Sequence, residues 1–339
     1  MLVLGIESTC DETAASVVKD GKQILSNIIF SQAKLHEKFG GVFPEVASRS
    51  HAEKILPVIN EALLKANVTS QEIDLIAVAY GPGLIGSLLV GLNTAKTLSL
   101  AWNKPFIGIN HIEAHLYASM MEVEKPQFPA LGVVLSGGHT QILYIKNIGN
   151  YQVLGTTIDD AIGESFDKVA SMLALPYPGG PQIEKLAKIG DREKHSFKAG
   201  KVKENPFDFS FSGLKTKVLY TVKGQQSQKN SPLIISEEEK KHIAASFQKA
   251  AFSDVIIKTL LAAKKYKTKA IYFGGGVCNN QTLRSMFDEA NIGLELHWPS
   301  FGLSLDNAAM IAGLGYHKFF EKKESDSLHL ECKTRIRLA

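Results

Sequence analysis

Two histidines and one distant aspartate are the residues of this chain best placed, by type and spacing, to bind a metal ion. His111 and His115 lie four residues apart in a segment with helical periodicity, about 400° around the axis, so both imidazoles share one face. Zinc and iron sites use imidazoles in this arrangement. Asp306 is the best candidate for a third, acidic ligand, although an aspartate before an apolar run commonly caps a helix. The alternative for the histidines is an ordinary pair in the core or at the surface.

Glu113 distinguishes this segment from the helix of a metalloprotease. In the protease pattern the catalytic glutamate directly follows the first histidine and faces the metal-bound water. Here the glutamate comes two residues after His111, about 200° around the helix, so we expect it to point away from both imidazoles. The spacing therefore argues against a hydrolytic zinc mechanism.

Three polar loops at the ends of expected strands could approach an anion. They are Glu7 to Thr13, Ser136 to Thr140, and Gly274 to Val277, the last of which precedes a helix expected near Asn280. Glycines let backbone N–H groups come close to a phosphate or carboxylate. One such loop is usually only a turn, but three at strand ends favour a nucleotide site. Pro178 to Pro181 is open to two interpretations, a turn or a cleft wall.

Four acidic residues cluster at the start of an expected helix, at Asp159, Asp160, Glu164 and Asp167. Acids at that end complement the helix macrodipole, which is the simpler interpretation. Because there are more acids than a helix start needs, we also expect them to grip a hydroxyl- or amine-bearing substrate.

Two segments of similar pattern would position these residues. Strand, polar loop, strand, turn and strand follow one another from residue 2 to 30 and again from residue 131 to 157. Helices and further strands follow each set. The repeat predicts a duplicated mixed-sheet domain with a cleft between its copies, divided into residues 1–125 and 126–339; two unrelated α/β domains are the alternative. A lysine-rich stretch near 189–228 is expected to be a surface excursion, either a solvated loop or a partner surface.

The composition is that of a globular protein with room for two domains. The chain has 339 residues, 45% of them hydrophobic, and a net charge of +4, which permits phosphate contacts without predicting nucleic-acid binding. Cys10, Cys278 and Cys332 are too far apart for a disulfide framework or a zinc knuckle, which suits a reducing compartment. We see neither a secretory signal nor an apolar run of roughly 18 residues that could span a bilayer. We therefore expect a cytoplasmic protein without a membrane segment.

Several of these motifs together resemble one family. They are Asn110-His111 through His115, Ser136-Gly137-Gly138-His139-Thr140, Asp159-Asp160 through Asp167-Lys168, Tyr177-Pro178-Gly179-Gly180-Pro181, and the Gly274 loop with Asn280. Over nearly its whole length the chain is similar to the tRNA adenosine threonylcarbamoyltransferase family, known as TsaD in bacteria and formerly as O-sialoglycoprotein endopeptidase. The Ser-Gly-Gly-His-Thr setting and the lack of an attached kinase domain resemble its bacterial branch.

The resemblance implies an α/β fold of the duplicated actin-like, sugar-kinase-like ATPase type, with two ribonuclease-H-like subdomains flanking a cleft. It implies one divalent metal ion on His111, His115 and Asp306, usually assigned to Fe2+ and sometimes to Zn2+, and an adenylate ligand in the cleft. Asp11 and Glu12 match acids near the family's reaction centre and are the candidate catalytic residues. The positions implied to contact substrate are Val134, Leu135, Ser136, Gly137, Gly138, Asp167, Gly180, Glu184 and Asn280, where Glu184 replaces the family's frequent aspartate.

The implied reaction moves the threonylcarbamoyl group of threonylcarbamoyl-AMP to N6 of adenosine 37 in tRNAs that read codons beginning with A, and releases AMP. The implied partners are tRNA, a paralogous inactive TsaB-like subunit and a small TsaE-like ATPase. Basic stretches at 198–203 and 333–337 are candidates for tRNA contact. Alternative functions are a zinc-dependent glycoprotein endopeptidase and a non-catalytic nucleotide-binding scaffold, with a small-molecule kinase of the same fold as a lesser one.

Overall fold

The computed structural model of the protein describes residues 1–225, 231–290, 293–336 and 338. By its internal contacts the chain divides into two compact units. The first contains residues 1–126, 147–151 and 297–339, and the second contains residues 127–146 and 152–296. The division into consecutive halves, 1–125 and 126–339, stays a prediction from the sequence.

Strands and helices alternate along both units. The described strands are β1 (Leu2–Glu7), β2 (Glu12–Lys19), β3 (Gln23–Ser31), β4 (Leu75–Gly81), β5 (Phe106–Asn110), β6 (Ala130–Leu135), β7 (Thr140–Asn147), β8 (Asn150–Thr156), β9 (Ala270–Gly274) and β10 (Glu295–His297). The described helices are α1 (Ala33–Glu37), α2 (Pro44–Ala66), α3 (Ile85–Trp102), α4 (His111–Met121), α5 (Ile162–Met172), α6 (Gly179–Ala187), α7 (Ser212–Lys223), α8 (Glu237–Tyr266), α9 (Gln281–Ala290), α10 (Phe301–Ser304) and α11 (Ala308–Lys322). Short 3-10 helices cover Ser70–Glu72 and Gly276–Asn279.

The first unit is built on a mixed sheet with the strand order β3-β2-β1-β4-β5. β1 runs antiparallel to β2, with Ile6 opposite Ala15, and parallel to β4, with Ile6 beside Val78. Because both faces of this sheet are covered, β1 is a nearly continuous apolar run. Ile55, Ile59 and related residues of α2 pack on one face at helical spacing.

The second unit repeats this arrangement, since its sheet has the order β8-β7-β6-β9-β10. Its central strand β6 again runs antiparallel to the next strand along the chain and parallel to β9. In each unit, then, the first strand lies at the centre and is followed outward by the second and third on one side. The long helix α8 begins at Ser236, whose hydroxyl accepts a hydrogen bond from the N–H of Glu239.

Two stretches that the sequence left irregular contain helices. Residues 179–187, after Pro178, form α6. Within the lysine-rich stretch, α7 buries Leu214, Val218 and Val222 at helical spacing, so this part packs in the unit and is not a solvated loop. Lysines lie between the apolar residues of α7, so its helical periodicity was hard to detect in the sequence. Residues 226–228 of the expected excursion lie outside the described part.

Within the described part of the chain, no helix combines the length and the apolar character that crossing a bilayer requires.

Candidate metal centre

Helix α4 presents both histidines at its first turns, directly after β5. Asn110 caps it, because its side-chain oxygen accepts hydrogen bonds from the N–H groups of Ile112 (2.9 Å) and Glu113 (3.2 Å). His111 and His115 are buried, and their ring centroids lie 4.6 Å apart at an interplanar angle of 79°. The predicted sharing of one helix face is therefore confirmed.

Helix α11 brings Asp306 to the histidines because it packs directly on the first sheet. A Cβ atom on Gly5 of β1 would lie only 2.2 Å from the backbone oxygen of Ala308, so only glycine permits this approach. The cap of α11 is Asn307, whose side-chain oxygen accepts from the N–H of Met310 at 3.1 Å. Asn307, and not Asp306, therefore takes the capping role that was the alternative interpretation of Asp306, and the Asp306 carboxylate is directed to the imidazoles.

The three side chains converge. Oδ1 of Asp306 lies 3.0 Å from Nε2 of His115 and 3.6 Å from Nε2 of His111. One ligand atom from each of the three residues lies within 4.8 Å of the others. Ligand atoms about 2 Å from a common zinc ion lie roughly 3–4 Å apart, and the distances from Asp306 to the two imidazoles, 3.0 and 3.6 Å, fall in this range. Two imidazoles and a carboxylate also form the donor set of many iron sites. The group could therefore hold a divalent metal ion.

Glu7, at the end of β1, lies beside this centre, a position that the sequence did not predict although it placed Glu7 in the first polar loop. Its carboxylate is fully buried, and Oε2 lies 2.9 Å from Nδ1 of His111. Burial alone would lower the pKa of His111, but the charges of Glu7 and Asp306 outweigh burial and raise the pKa to about 9. These negative surroundings favour a cation. A glutamate closing an otherwise apolar strand was the available signal.

The loop that carries Asp11 and Glu12 lies beside the same centre. Burial raises the pKa of Glu12 well above its usual value, and the charges of Asp11 and Asp306 raise it further. The hydrogen bond that Oε1 of Glu12 accepts from the hydroxyl of Ser31 (3.0 Å) opposes this rise in pKa without cancelling it. His51 of α2 anchors the loop, because its ring contacts Oγ1 of Thr13 (2.7 Å) and the carbonyl of Cys10 (3.0 Å).

Glu113 has a different environment, as its position on α4 predicts. Its Oε1 lies 3.0 Å from Nζ of Lys318, and it lines a cavity of about 350 Å³ together with Tyr80 and Asn110. Burial raises the pKa of Glu113, and the opposing effect of the Lys318 charge does not cancel this rise. A glutamate paired with a lysine is poorly suited to activate water on the histidine centre.

In the second unit, the loop after β6 has free space beside its two glycines. A Cβ atom on Gly137 or Gly138 would meet nothing within 4 Å, so a ligand has room to approach their backbone. Ser136 closes the loop, because its N–H donates to the carbonyl of His139 at 2.9 Å. The side chains of Val134 and Leu135 are fully buried, so only their backbones are available for the expected contact.

The remaining expected substrate positions are held by bonds within the second unit. Oδ1 of Asp167 accepts from the N–H of Gly179 (2.7 Å), next to Gly180, whose Cα also faces open space. Oε1 of Glu184 accepts from the N–H of Gln281 at the start of α9 (2.9 Å). Asn280 precedes that helix, accepts from the N–H of Leu283, and donates to Gln248, which the sequence did not single out.

The acids before α5 bind the protein itself. Asp159 accepts from the hydroxyl of Ser210 (2.6 Å) and the N–H of Phe211 (2.8 Å). Asp160 pairs with the ammonium groups of Lys168 (2.6 Å) and Lys215 (2.5 Å). Their carboxylates connect the start of α5 to α7 and the segment before it, which gives these two acids a structural role; the expected substrate contact stays a prediction.

Comparison with known proteins agrees with the motifs and with the repeated sheets. Residues 23–313 match the family model described as TsaD, tRNA N6-adenosine threonylcarbamoyltransferase. A protein of that name from Protochlamydia amoebophila is 61% identical over 339 residues, which cover 100% of this chain and 98% of the relative.

Solved structures share the fold at low sequence identity. HypF from T. kodakarensis has a TM-score of 0.62 at 16% identity, covering 95% of this chain and 48% of that one. The ROK hexokinase from Thermus thermophilus has a TM-score of 0.51 at 15% identity, covering 95% and 99%. These likenesses confirm the actin-like, sugar-kinase-like ATPase fold predicted from the sequence. Because the family model spans most of the chain and the relative matches all of it, the chain belongs to the tRNA N6-adenosine threonylcarbamoyltransferase family.

Proposed function

We propose that the chain transfers the threonylcarbamoyl group of threonylcarbamoyl-AMP to N6 of adenosine 37 in tRNAs that read codons beginning with A. The N6–carbonyl bond forms, the bond between that carbonyl and the phosphate oxygen breaks, and AMP leaves. One observation carries the proposal: His111, His115 and Asp306 converge at ligand distances in a chain 61% identical to a protein named for this activity.

The first unit supplies the proposed metal centre. His111 and His115 would bind one divalent ion through nitrogen and Asp306 through oxygen, a donor set that suits Fe2+ first and also Zn2+. When bound, such an ion supplies Lewis-acid polarisation of the acyl group. The exposed fifth of the Asp306 side chain indicates that the centre is reachable from solvent.

Asp11 and Glu12 are proposed to act at the reaction centre. The raised pKa of Glu12 favours the protonated form of its carboxyl group, which would suit a role as a hydrogen-bond donor to a substrate oxygen. The anchoring of this loop by His51 would limit its movement. Since an exocyclic amine is a weak nucleophile, we expect such positioning to supply much of the rate enhancement.

The second unit supplies the proposed contacts to the adenylate group. Ser136, Gly137 and Gly138 would offer backbone N–H groups to the phosphate, with Val134 and Leu135 contributing backbone only. The other proposed contacts are Asp167, Gly180, Glu184 and Asn280. Oε1 of Glu184 is already bonded to the N–H of Gln281, so we assign the substrate contact to its other oxygen.

We also propose that the chain works in the cytoplasm with tRNA, a TsaB-like paralogue and a TsaE-like ATPase. Lysines at 198–203 and the basic stretch 333–337 are the candidate tRNA contacts, and the described residues of both stretches are mostly exposed or half-buried. Arg337 lies outside the described residues.

The test is reconstitution of the reaction. Purified protein with its partners, threonylcarbamoyl-AMP and unmodified tRNA should yield threonylcarbamoyladenosine, detected by mass spectrometry of digested nucleosides. His111→Ala should abolish the product, and so should removal of the metal, with recovery when Fe2+ or Zn2+ is returned. Full activity of the metal-free protein would end this proposal. Cleavage of a glycoprotein that is lost in His115→Ala would support the endopeptidase alternative.

A further inference from the structure

Glu7 is a buried charged group that the proposed reaction does not yet use. Its side chain is fully buried at the end of β1. Burying a carboxylate is costly unless hydrogen bonds or charges compensate for the lost water. Two contacts do so here: Oε1 accepts from the N–H of Thr9 at 2.6 Å, and Oε2 lies 2.9 Å from Nδ1 of His111.

The second contact determines which nitrogen of His111 faces Asp306. A carboxylate accepts hydrogen bonds, so Nδ1 must carry the proton in this pair. The lone pair of a neutral imidazole then lies on Nε2, which is the atom 3.6 Å from Asp306. Carboxylates placed in this way beside metal-binding histidines fix the tautomer and the ring orientation.

The two histidines differ in this respect. Nδ1 of His115 is buried and has no hydrogen-bond partner among the described residues. Oγ1 of Thr9 also approaches Nδ1 of His111, but at 3.3 Å it is a longer contact than the carboxylate. Among the described residues, Glu7 therefore makes the shortest contact to the Nδ1 atom of either histidine, on the side of the ring away from Asp306.

We infer that Glu7 is a positioning residue, which holds the imidazole of His111 with Nε2 toward the metal and ties it to the loop that carries Asp11. The tie runs through the Thr9 N–H, only two residues before Asp11. This inference rests on the metal centre of the proposed function, and it adds a residue that acts through His111 without binding the ion.

Metal binding to the stripped full-length protein tests the inference. We expect Glu7→Gln, whose neutral amide oxygen is a weaker acceptor, to lower the affinity for Co2+ roughly tenfold, and Glu7→Leu to lower it roughly 10- to 100-fold. The visible absorption of the Co2+-saturated variants should also shift, because the imidazole is no longer held. Glu113→Gln, the same change at another buried glutamate, which pairs with Lys318 and not with an imidazole, is the matched control and should bind Co2+ like the wild type.

The outcomes separate this inference from the proposed function. If the wild-type protein binds no Co2+ at His111, His115 and Asp306, the metal centre itself fails. If the wild type binds and Glu7→Gln gives the same affinity and the same saturated spectrum, only the role of Glu7 is overturned. Glu7→Gln keeps the size of the side chain and an oxygen that can still accept a hydrogen bond, so its result stands even if Glu7→Leu does not fold.

Discussion

Asp306 and His115 meet at 3.0 Å although 191 residues separate them in the chain. The contact depends on Asn307, which caps α11 and so leaves the preceding carboxylate for the imidazole. Of these two neighbouring polar residues, Asn307 thus stabilises the helix and Asp306 contacts the imidazole.

This division predicts opposite phenotypes for neighbouring substitutions. Asn307→Ala removes a helix cap and two donors from a buried site, so we expect it to lower the free energy of unfolding by about 1–3 kcal/mol. Asp306→Ala removes only the partly exposed partner of the two imidazoles, so it should lower the stability of the metal-free protein less than Asn307→Ala does, but it should abolish metal binding. Urea unfolding and metal titration measure the two effects. Equal loss of stability in both variants would contradict the assignment.

The glycines of the second unit predict another contrast. Gly275 has φ +94°, and a Cβ there would lie 2.4 Å from the oxygen of Leu135, so Gly275→Ala should destabilise by about 1–3 kcal/mol. Gly138→Ala should fold normally, because no heavy atom lies within 4 Å of the added Cβ. It should nevertheless raise the KM for threonylcarbamoyl-AMP roughly tenfold, which corresponds to a loss of about 1.4 kcal/mol of binding free energy. An unchanged KM in Gly138→Ala would remove the loop from the substrate site.

His51 should affect the reaction without affecting the metal. His51→Ala releases the carbonyl of Cys10 and the hydroxyl of Thr13, so the loop with Asp11 and Glu12 loses its anchor. We expect kcat to fall roughly 100-fold with full metal content, since small misplacements of reacting groups are costly. Ser48→Ala on the same helix is the control. Loss of metal in His51→Ala would show that the loop and the centre are not separable.

The ion pairs of Asp160 predict a pH-dependent contribution to stability. Burial tends to raise the pKa of Asp160, but hydrogen bonds from Lys168 and Lys215 outweigh it and lower the pKa. A carboxyl group with a lowered pKa in the folded state stabilises above its unfolded pKa near ~4, and that stabilisation is lost as the pH falls through the folded value. We expect Asp160→Asn to cost about 1–2 kcal/mol at pH 7 and less at pH 3. Urea unfolding at both pH values checks this, with the exposed Glu61→Gln as control; a difference that does not shrink at pH 3 would contradict it.

Much of the fold was accessible from sequence pattern. The apolar runs of β1 and β2 and the periodicity of α2 and α8 each follow from burial on one or both faces. The i, i+4 spacing of His111 and His115 also fixed their common face before any coordinates. These features are local, so a short window of residues contains them.

Other features depend on contacts that no short window contains. Asp306 and Asn307 are both good helix caps, and only the packing of α11 against Gly5 shows which of them turns to the imidazoles. The acids at Asp159 and Asp160 find their partners about 50 residues later, in Ser210 and Lys215. Glu7 ends an apolar strand in the sequence, but only the structure shows its contact with His111, which lies 104 positions later in the chain.

The most direct test of the account is the metal content of the full-length protein, measured by mass spectrometry of wild type, His115→Ala and Asp306→Ala. We expect about one bound Fe2+ or Zn2+ per wild-type chain and almost none in either variant at the same protein concentration. A variant that keeps the wild-type stoichiometry would show that any bound ion lies elsewhere, and the proposed chemistry would lose its centre.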